Sequence, residues 1–230
     1  MSGWFFDAME ATWPPAEARA EGPFLLRQGA GGGKRVSAAT AEGAWDEGAL
    51  VAAEAAMAEP LFLIRPGDEA LDTALAARGY AVVDPVLAYA APVAALTGEL
   101  PFLAGFPHWP PLEAARHLWA EGGIGPGRVA VMQRVTGPKA AVLARQNDRP
   151  AGVAFVACAG DEAMIHAIEV RPAMRRQGVG AHLLRAAANW AAAEGAARLS
   201  LAVTERNHAA RALYSRAGMA VVGQYHYRAK

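Results

Sequence analysis

AIEVRPAMRRQGVGAHLLRAAANW, residues 167–190, carries the decisive change of pattern in this chain. An apolar strand ends at Val170, Pro172 helps break it, and a short basic turn containing Gly178 and Gly180 leads straight into a helix predicted over Val179–Glu194. Small residues at such a turn let a ligand approach the backbone closely. The first helical N–H groups, from about Gly178 to Ala181, are expected to lack internal acceptors and to carry the positive end of the helix dipole. Arg175 and Arg176 add charge at the same place. The combination suits a pyrophosphate, although a surface helix with a basic first turn is the plainer alternative. Neither the GxGxxG dinucleotide fingerprint nor the GK[ST] of a P-loop is present.

Working outward, Val129–Gln133, Ala140–Arg145, Ala151–Ala159 and Ala163–Val170 read as strands, with a hairpin turn at Gly160-Asp161. Beyond the helix, Leu199–Val203 is a buried strand, Ala209–Ala217 a helix closed by Gly218, and Met219–Tyr227 a final extended segment. Antiparallel strands followed by a strand–helix–strand unit predict an α/β fold whose sheet is mixed and mostly antiparallel, flanked by helices. In VTERNHAARALYSRAGM, residues 203–219, Asn207 is placed to cap the helix, and Asn207, Arg211 and Tyr214 share one helical face. Ala210, Leu213 and Ala217 form the neighbouring apolar stripe.

Arg175-Arg176-Gln177-Gly178-Val179-Gly180 resembles the Arg/Gln-x-x-Gly-x-Gly/Ala turn of the GCN5-related N-acetyltransferase (GNAT) family. Asn207, Ala210, Leu213-Tyr214 and Gly218-Met219 resemble its second pattern, with methionine in place of the usual phenylalanine. The resemblance spans roughly residues 128–230, with weaker support over 96–127. It implies an acyl-CoA N-acyltransferase fold, acetyl-CoA as co-substrate, and transfer of acetyl to a primary amine by direct attack in a ternary complex. By the same resemblance, Arg175, Arg176, Gln177, Gly178, Val179, Gly180 and Ala181 hold the CoA phosphates. Ile168 and Val170 pair through their backbone with the pantetheine arm, where their strand splays from Leu199–Val203. Asn207 and Arg211 belong to the CoA side, and the Tyr214 hydroxyl is the acid for the departing thiolate. Glu169 is the candidate base. His166, three residues earlier, is the alternative, and strand parity sends the two to opposite faces. A non-catalytic acyl-CoA sensor of the same fold is the alternative function.

Net charge is zero but uneven: residues 164–230 hold ten Lys or Arg against three Asp or Glu. With the phosphate turn inside that segment, the basic balance reads as a CoA site. No recognition helix or aromatic platform points to nucleic acid. The single cysteine, Cys158, lies in an apolar run, which excludes an internal disulfide and suggests a reducing, cytoplasmic setting. No stretch has the length and apolarity of a membrane span, and the six histidines form no metal-ligand pattern. The expected partners are an amine substrate, small molecule or peptide N-terminus, with the chain a monomer or homodimer.

A soft compositional break near residue 95 separates residues 1–95 from a catalytic segment, 96–230. Before it, Phe5–Thr12, Glu47–Met57 and Asp68–Arg78 read as helices, and Pro23–Arg27, Arg35–Ala39, Leu61–Ile64 and Tyr80–Val83 as extended segments. This order is compatible with a degenerate acetyltransferase-like copy. It lacks the Arg-x-x-Gly-x-Gly turn, so a role in shaping the acceptor pocket is expected. Trp13, Arg35 and Ser37 are candidates to face that pocket, as are Trp109, Phe106 and the segment Gln224–Tyr227. The glycines at 29–33 read as a flexible hairpin turn.

Overall fold

The computed structural model describes residues 3–230. A small sheet, β1 (Glu17–Glu21), β2 (Phe24–Gln28) and β3 (Thr40–Ala41), precedes an eight-stranded one. The larger sheet takes β4 (Leu61–Ile64), β5 (Ala81–Pro92), β6 (Gly105–His108), β7 (Lys139–Gln146), β8 (Arg149–Ala159), β9 (Glu162–Val170), β10 (Arg198–Thr204) and β11 (Ala220–Ala229) in the order β4-β11-β5-β10-β9-β8-β7-β6. Only β9 and β10 run parallel; every other neighbouring pair is antiparallel. The mixed, mostly antiparallel sheet and its flanking helices are those expected from the sequence. The helices are α1 (Gly3–Thr12), α2 (Glu47–Ala55), α3 (Glu69–Ala77), α4 (Val93–Leu96), α5 (Glu113–Glu121), α6 (Pro126–Arg134), α7 (Val179–Ala193) and α8 (His208–Arg216).

Alternation along β8 explains the two main layers. Ala154 and Val156 meet Leu183 and Ala187 of α7 on one face, while Val153 and Phe155 meet Trp119 of α5 and Met132 of α6 on the other. Gly152 keeps α7 close, since a Cβ there would come within 3.0 Å of Val179 Cγ1 and 3.1 Å of Leu183 Cδ1. A third cluster joins α2, α3, β2 and β4 around Phe62, Leu50 and Leu71. β4 and β5 precede residue 95 and the other six strands follow it, so the sheet is continuous across that position.

Three local readings are corrected. Val129–Gln133, read as a strand, lies within α6. Gly125 stands at its N-cap and Pro126 opens it, while Val129, Val131 and Met132 are all buried; a short apolar run fits either period, and the proline start decides it. Arg35–Ala39 is not extended: Lys34–Val36 makes a 3₁₀ turn with Ser37 N–H on Lys34 O. The strand expected over Tyr80–Val83 continues to Pro92, because Val86–Ala91 is a buried run flanked by β10 and β11.

The glycines at 29–33 are packed rather than loose. A Cβ on Gly32 would lie 2.5 Å from Val131 Cγ2, and one on Gly127 would lie 2.5 Å from Gly31 O. The loop is therefore seated on the first turn of α6. No helix among the described residues is long and apolar enough to cross a membrane.

Candidate active site

Parallel pairing of β9 with β10 runs from Glu162↔Arg198 to Ile165↔Leu201 and then stops. Beyond it, His166–Val170 and Ala202–Thr204 diverge. The divergence is reinforced by a bulge. In the pairing with β8, Phe155 faces His166 but Val153 faces Glu169, so β9 carries one extra residue, and Ala167 has φ 51°. Trp119 Nε1 donates to Ala167 O at 2.8 Å and holds the bulge from α5. The extra residue reverses the parity expected from sequence. His166 and Glu169 stand opposite Phe155 and Val153, on one face, and both line the same cavity.

That cavity, of about 390 Å³, lies at the mouth of the splay. Ile168, Glu169, Asn207 and Tyr214 line it, as do Trp13, Arg35, Arg128, Tyr225 and Tyr227. Tyr214 is 5% exposed and stacks obliquely on Tyr89 at 5.7 Å between ring centroids. Its hydroxyl has no hydrogen-bond partner among the described residues. Burial first, and the neighbouring Tyr89 second, raise its pKa, so the phenol stays protonated at neutral pH and is available as a proton donor.

At the entrance to α7, Gly178 is the N-cap with φ 85° and Arg176 has φ 64°. The N–H groups of Gly178, Val179 and Gly180 have no acceptor among the described residues. The N–H of Ala181, expected to be free, donates to Gly178 O at 2.9 Å. Gly180 has a packing role as well: a Cβ there would approach Leu213 Cδ2 to 3.0 Å, so the two sequence patterns meet where α7 and α8 touch. Val179 is buried in the core under α7.

The arginines divide. Arg176 is exposed at the turn, whereas Arg175 folds back, with Nε donating to Val170 O at 3.0 Å and Nη2 on Glu169 Oε1 at 3.2 Å. Gln177 Nε2 donates to Ala173 O at 3.0 Å. Arg211 Nη1 donates to the Glu205 carbonyl, and its Nε is buried without a partner. Asn207 caps α8 through Oδ1, which accepts from Ala210 N–H at 3.1 Å, leaving its Nδ2 donors beside the cavity. Glu169 packs against Gly122, where any side chain would collide with its Cγ at 2.3 Å.

His166 is held in one tautomer. Thr12 Oγ1 gives its proton to Ala8 O at 2.6 Å and so accepts from His166 Nε2–H at 2.8 Å. Nδ1, at 2.9 Å from Arg35 Nη1, must be the acceptor, because a guanidinium can only donate. Burial and then Arg35 push the His166 pKa well below its ordinary value. With its lone pair already engaged, this imidazole is not free to take a substrate proton. Sequence reasoning placed Trp13 and Arg35 here, and their position holds: both line the cavity. Ser37 turns instead to Gly33 O, Trp109 packs on Phe155, and His226 pairs with Asp72 across the sheet edge. Cys158 is buried, its thiol pushed up to about 11 by burial and then by Glu194. Arg128, Asp84 and Tyr89 were not singled out from the sequence. The first lies in the helix mistaken for a strand, and the other two in the stretch of β5 that the reading cut short.

A model of the acetyltransferase (GNAT) family matches residues 107–219. Among solved structures, a GCN5-related N-acetyltransferase from Kribbella flavida superposes with TM-score 0.76 at 20% identity, over 100% of this chain and 95% of that one. A tandem GNAT protein from the clavulanic acid biosynthesis pathway gives TM-score 0.63 at 14% identity, over 90% of this chain and 77% of that one. A GNAT-family structure from Novosphingobium aromaticivorans gives 0.61 at 18% identity, over 97% and 96%. At these identities the likeness is one of fold. No curated protein matches.

Proposed function

We propose that this chain, which belongs to the GNAT superfamily of acetyltransferases, moves an acetyl group from acetyl-CoA to a primary amine bound between the splayed strands and the N-terminal segment. One observation carries the reading: β9 opens from β10 at a cavity lined by Tyr214, and the turn with the unpaired N–H groups packs through Gly180 on Leu213, the residue before Tyr214. Gly178–Gly180 present three backbone donors at the positive end of a fifteen-residue helix, a fit for a pyrophosphate. Arg176 adds charge there. The diverging edge of β9 beside Ile168 offers backbone groups to an amide-bearing arm, although Val170 O is engaged by Arg175.

Acetyl-CoA supplies an activated thioester carbonyl. In the proposed reaction the amine nitrogen forms the new C–N bond as the C–S bond breaks. The Tyr214 hydroxyl gives its proton to the departing sulfur, and the amine proton passes to Glu169. Asn207 positions the arm through its free Nδ2. The segment before β4 closes the acceptor side through Trp13 and Arg35, while β4 and β5 of the same N-terminal span complete the sheet.

The test is thiol release from acetyl-CoA across a panel of amines and peptides, with CoA affinity measured in parallel. Thiol release dependent on one class of amine supports the reading. CoA binding with no release on any acceptor would replace it with an acyl-CoA sensor, and a folded protein that binds no CoA would end both.

A further inference from the structure

At the acceptor end of the cavity stands a guanidinium without a counter-ion. Arg35 Nη1 is spent on the neutral His166 Nδ1, and its Nε is shut off from solvent with no acceptor in hydrogen-bond geometry among the described residues. Both carboxylates lining this cavity are committed elsewhere, as is Glu10 nearby. Asp84 holds Lys34 at 2.8 Å and Arg206 at 3.1 Å, Glu10 holds Arg27 at 2.8 Å, and Glu169 holds Arg175 at 3.2 Å. Among the described residues no carboxylate lies within ion-pair distance of Arg35. Removing a charge from water without pairing it is costly, so a half-buried guanidinium with no carboxylate partner calls for a specific cause.

Its neighbours sharpen the point. Tyr225 and Tyr227 place their phenol oxygens beside Arg35. All three residues line the cavity, and neither phenol supplies the negative charge that the guanidinium lacks. Arg128, stacked over Gly33, adds a second cation to this wall. The Thr12–His166 chain serves to orient Arg35: an imidazole fixed as acceptor holds the guanidinium plane while contributing no negative charge.

We propose that Arg35, flanked by Tyr225, forms a carboxylate subsite, so that the acceptor is a small amine carrying its own carboxylate, an amino acid rather than a peptide N-terminus. This rests on the acyl-transfer reading for the identity of the site, and it narrows the acceptor class. A planar carboxylate matches the fork of a guanidinium and brings the negative charge that the neutral imidazole and the phenols do not. A peptide N-terminus offers a neutral amide carbonyl at the same distance from the amine and leaves the charge uncompensated.

The experiment uses L-amino acids, each paired with its carboxamide, titrated calorimetrically into the CoA-bound protein and assayed separately for thiol release with acetyl-CoA. At least one acid should bind about 10- to 100-fold more tightly than its amide, the range for a charge-assisted hydrogen bond. Arg35→Met should reduce that ratio to near one. Because Arg35→Met also strips His166 of its donor, Tyr225→Phe is the second variant: it leaves the Arg35–His166 contact in place, so folding and CoA affinity should persist while the ratio falls several-fold. Equal binding of acids and amides to the unaltered protein, or a ratio unchanged in both variants, overturns the subsite. A clear acid preference with no thiol release on any acceptor keeps the subsite and removes acyl transfer instead.

Discussion

The turn before α7 and the wall around Arg35 are both built to receive negative charge, and they are built in opposite ways. The turn is local. Arg176, Gly178 and Gly180 lie within five residues, the left-handed φ of Gly178 is written in the residue type, and the donors are backbone groups that any helix start exposes. The wall is assembled from afar. Thr12 comes from α1, Arg35 from a 3₁₀ turn, His166 from β9 and Tyr225 from β11, and the donors are side chains aimed by one another. Local construction gives a site robust to its surroundings. Assembly from afar gives one whose geometry depends on every contributing element.

Tyr214 stands where the two regions meet, and its loss should have the largest effect. Tyr214→Phe removes only the hydroxyl, which bonds to nothing among the described residues, so packing on Tyr89 should survive. Loss of a general acid predicts about a 100-fold fall in kcat, with CoA affinity unchanged. A kcat within a factor of about two of the original would remove the acid role assigned here.

Trp119→Phe tests the bulge that brings His166 and Glu169 to one face. It leaves the Ala167 carbonyl without its donor, which predicts about 1–3 kcal/mol of lost stability in urea unfolding. Acceptor KM should rise as Glu169 and His166 lose alignment, by more than the CoA constant, because the phosphates sit at the separate turn before α7. If donor and acceptor constants moved together, the two regions would not be separable in the way the contacts suggest.

Gly178→Val is the converse. A β-branched residue at φ 85° costs about 1–2 kcal/mol and turns the three N–H donors out of line. CoA should bind about tenfold more weakly, with the acid-over-amide preference of the acceptor intact. Unchanged CoA affinity would mean that the phosphates are held elsewhere.

The same contrast explains what was legible in the sequence. The strand–turn–helix at 162–193 and the α8 face carrying Asn207 and Tyr214 followed from periodicity, glycine and capping alone, and both stand as read. Periodicity could not reveal the bulge at Ala167, because an extra residue in β9 is invisible until β8 lies beside it. That single insertion reversed the expected relation of His166 to Glu169. Nor could it reveal that Arg175 turns back onto Val170 O and Glu169, since a turn arginine looks the same whether it faces a ligand or its own strand. Arg35 and Trp13 were recognised as candidates, but the tautomer of His166 that explains the arginine needs Thr12, 154 residues away.

The smallest predicted effect probes the wall without touching any ligand. His166 is neutral in the fold, its pKa held below the ordinary value by burial and then by Arg35. Unfolded, the imidazole takes up a proton near pH ~6.5. Below that pH the unfolded chain binds more protons than the native one, so stability present above it is lost as pH falls toward the depressed folded value. The slope from this one group is at most about 1.4 kcal/mol per pH unit. His108 and His182 are also shifted down by burial and tilt the curve the same way, so the difference between two proteins is what isolates His166. His166→Gln keeps a donor for Thr12 and an acceptor for Arg35 but cannot titrate. Urea unfolding at pH 7, 6 and 5 should show the original protein losing more stability on acidification than the variant. Parallel losses in the two would mean that His166 already exchanges its proton in the folded state, and that Arg35 is oriented by something other than a fixed neutral imidazole.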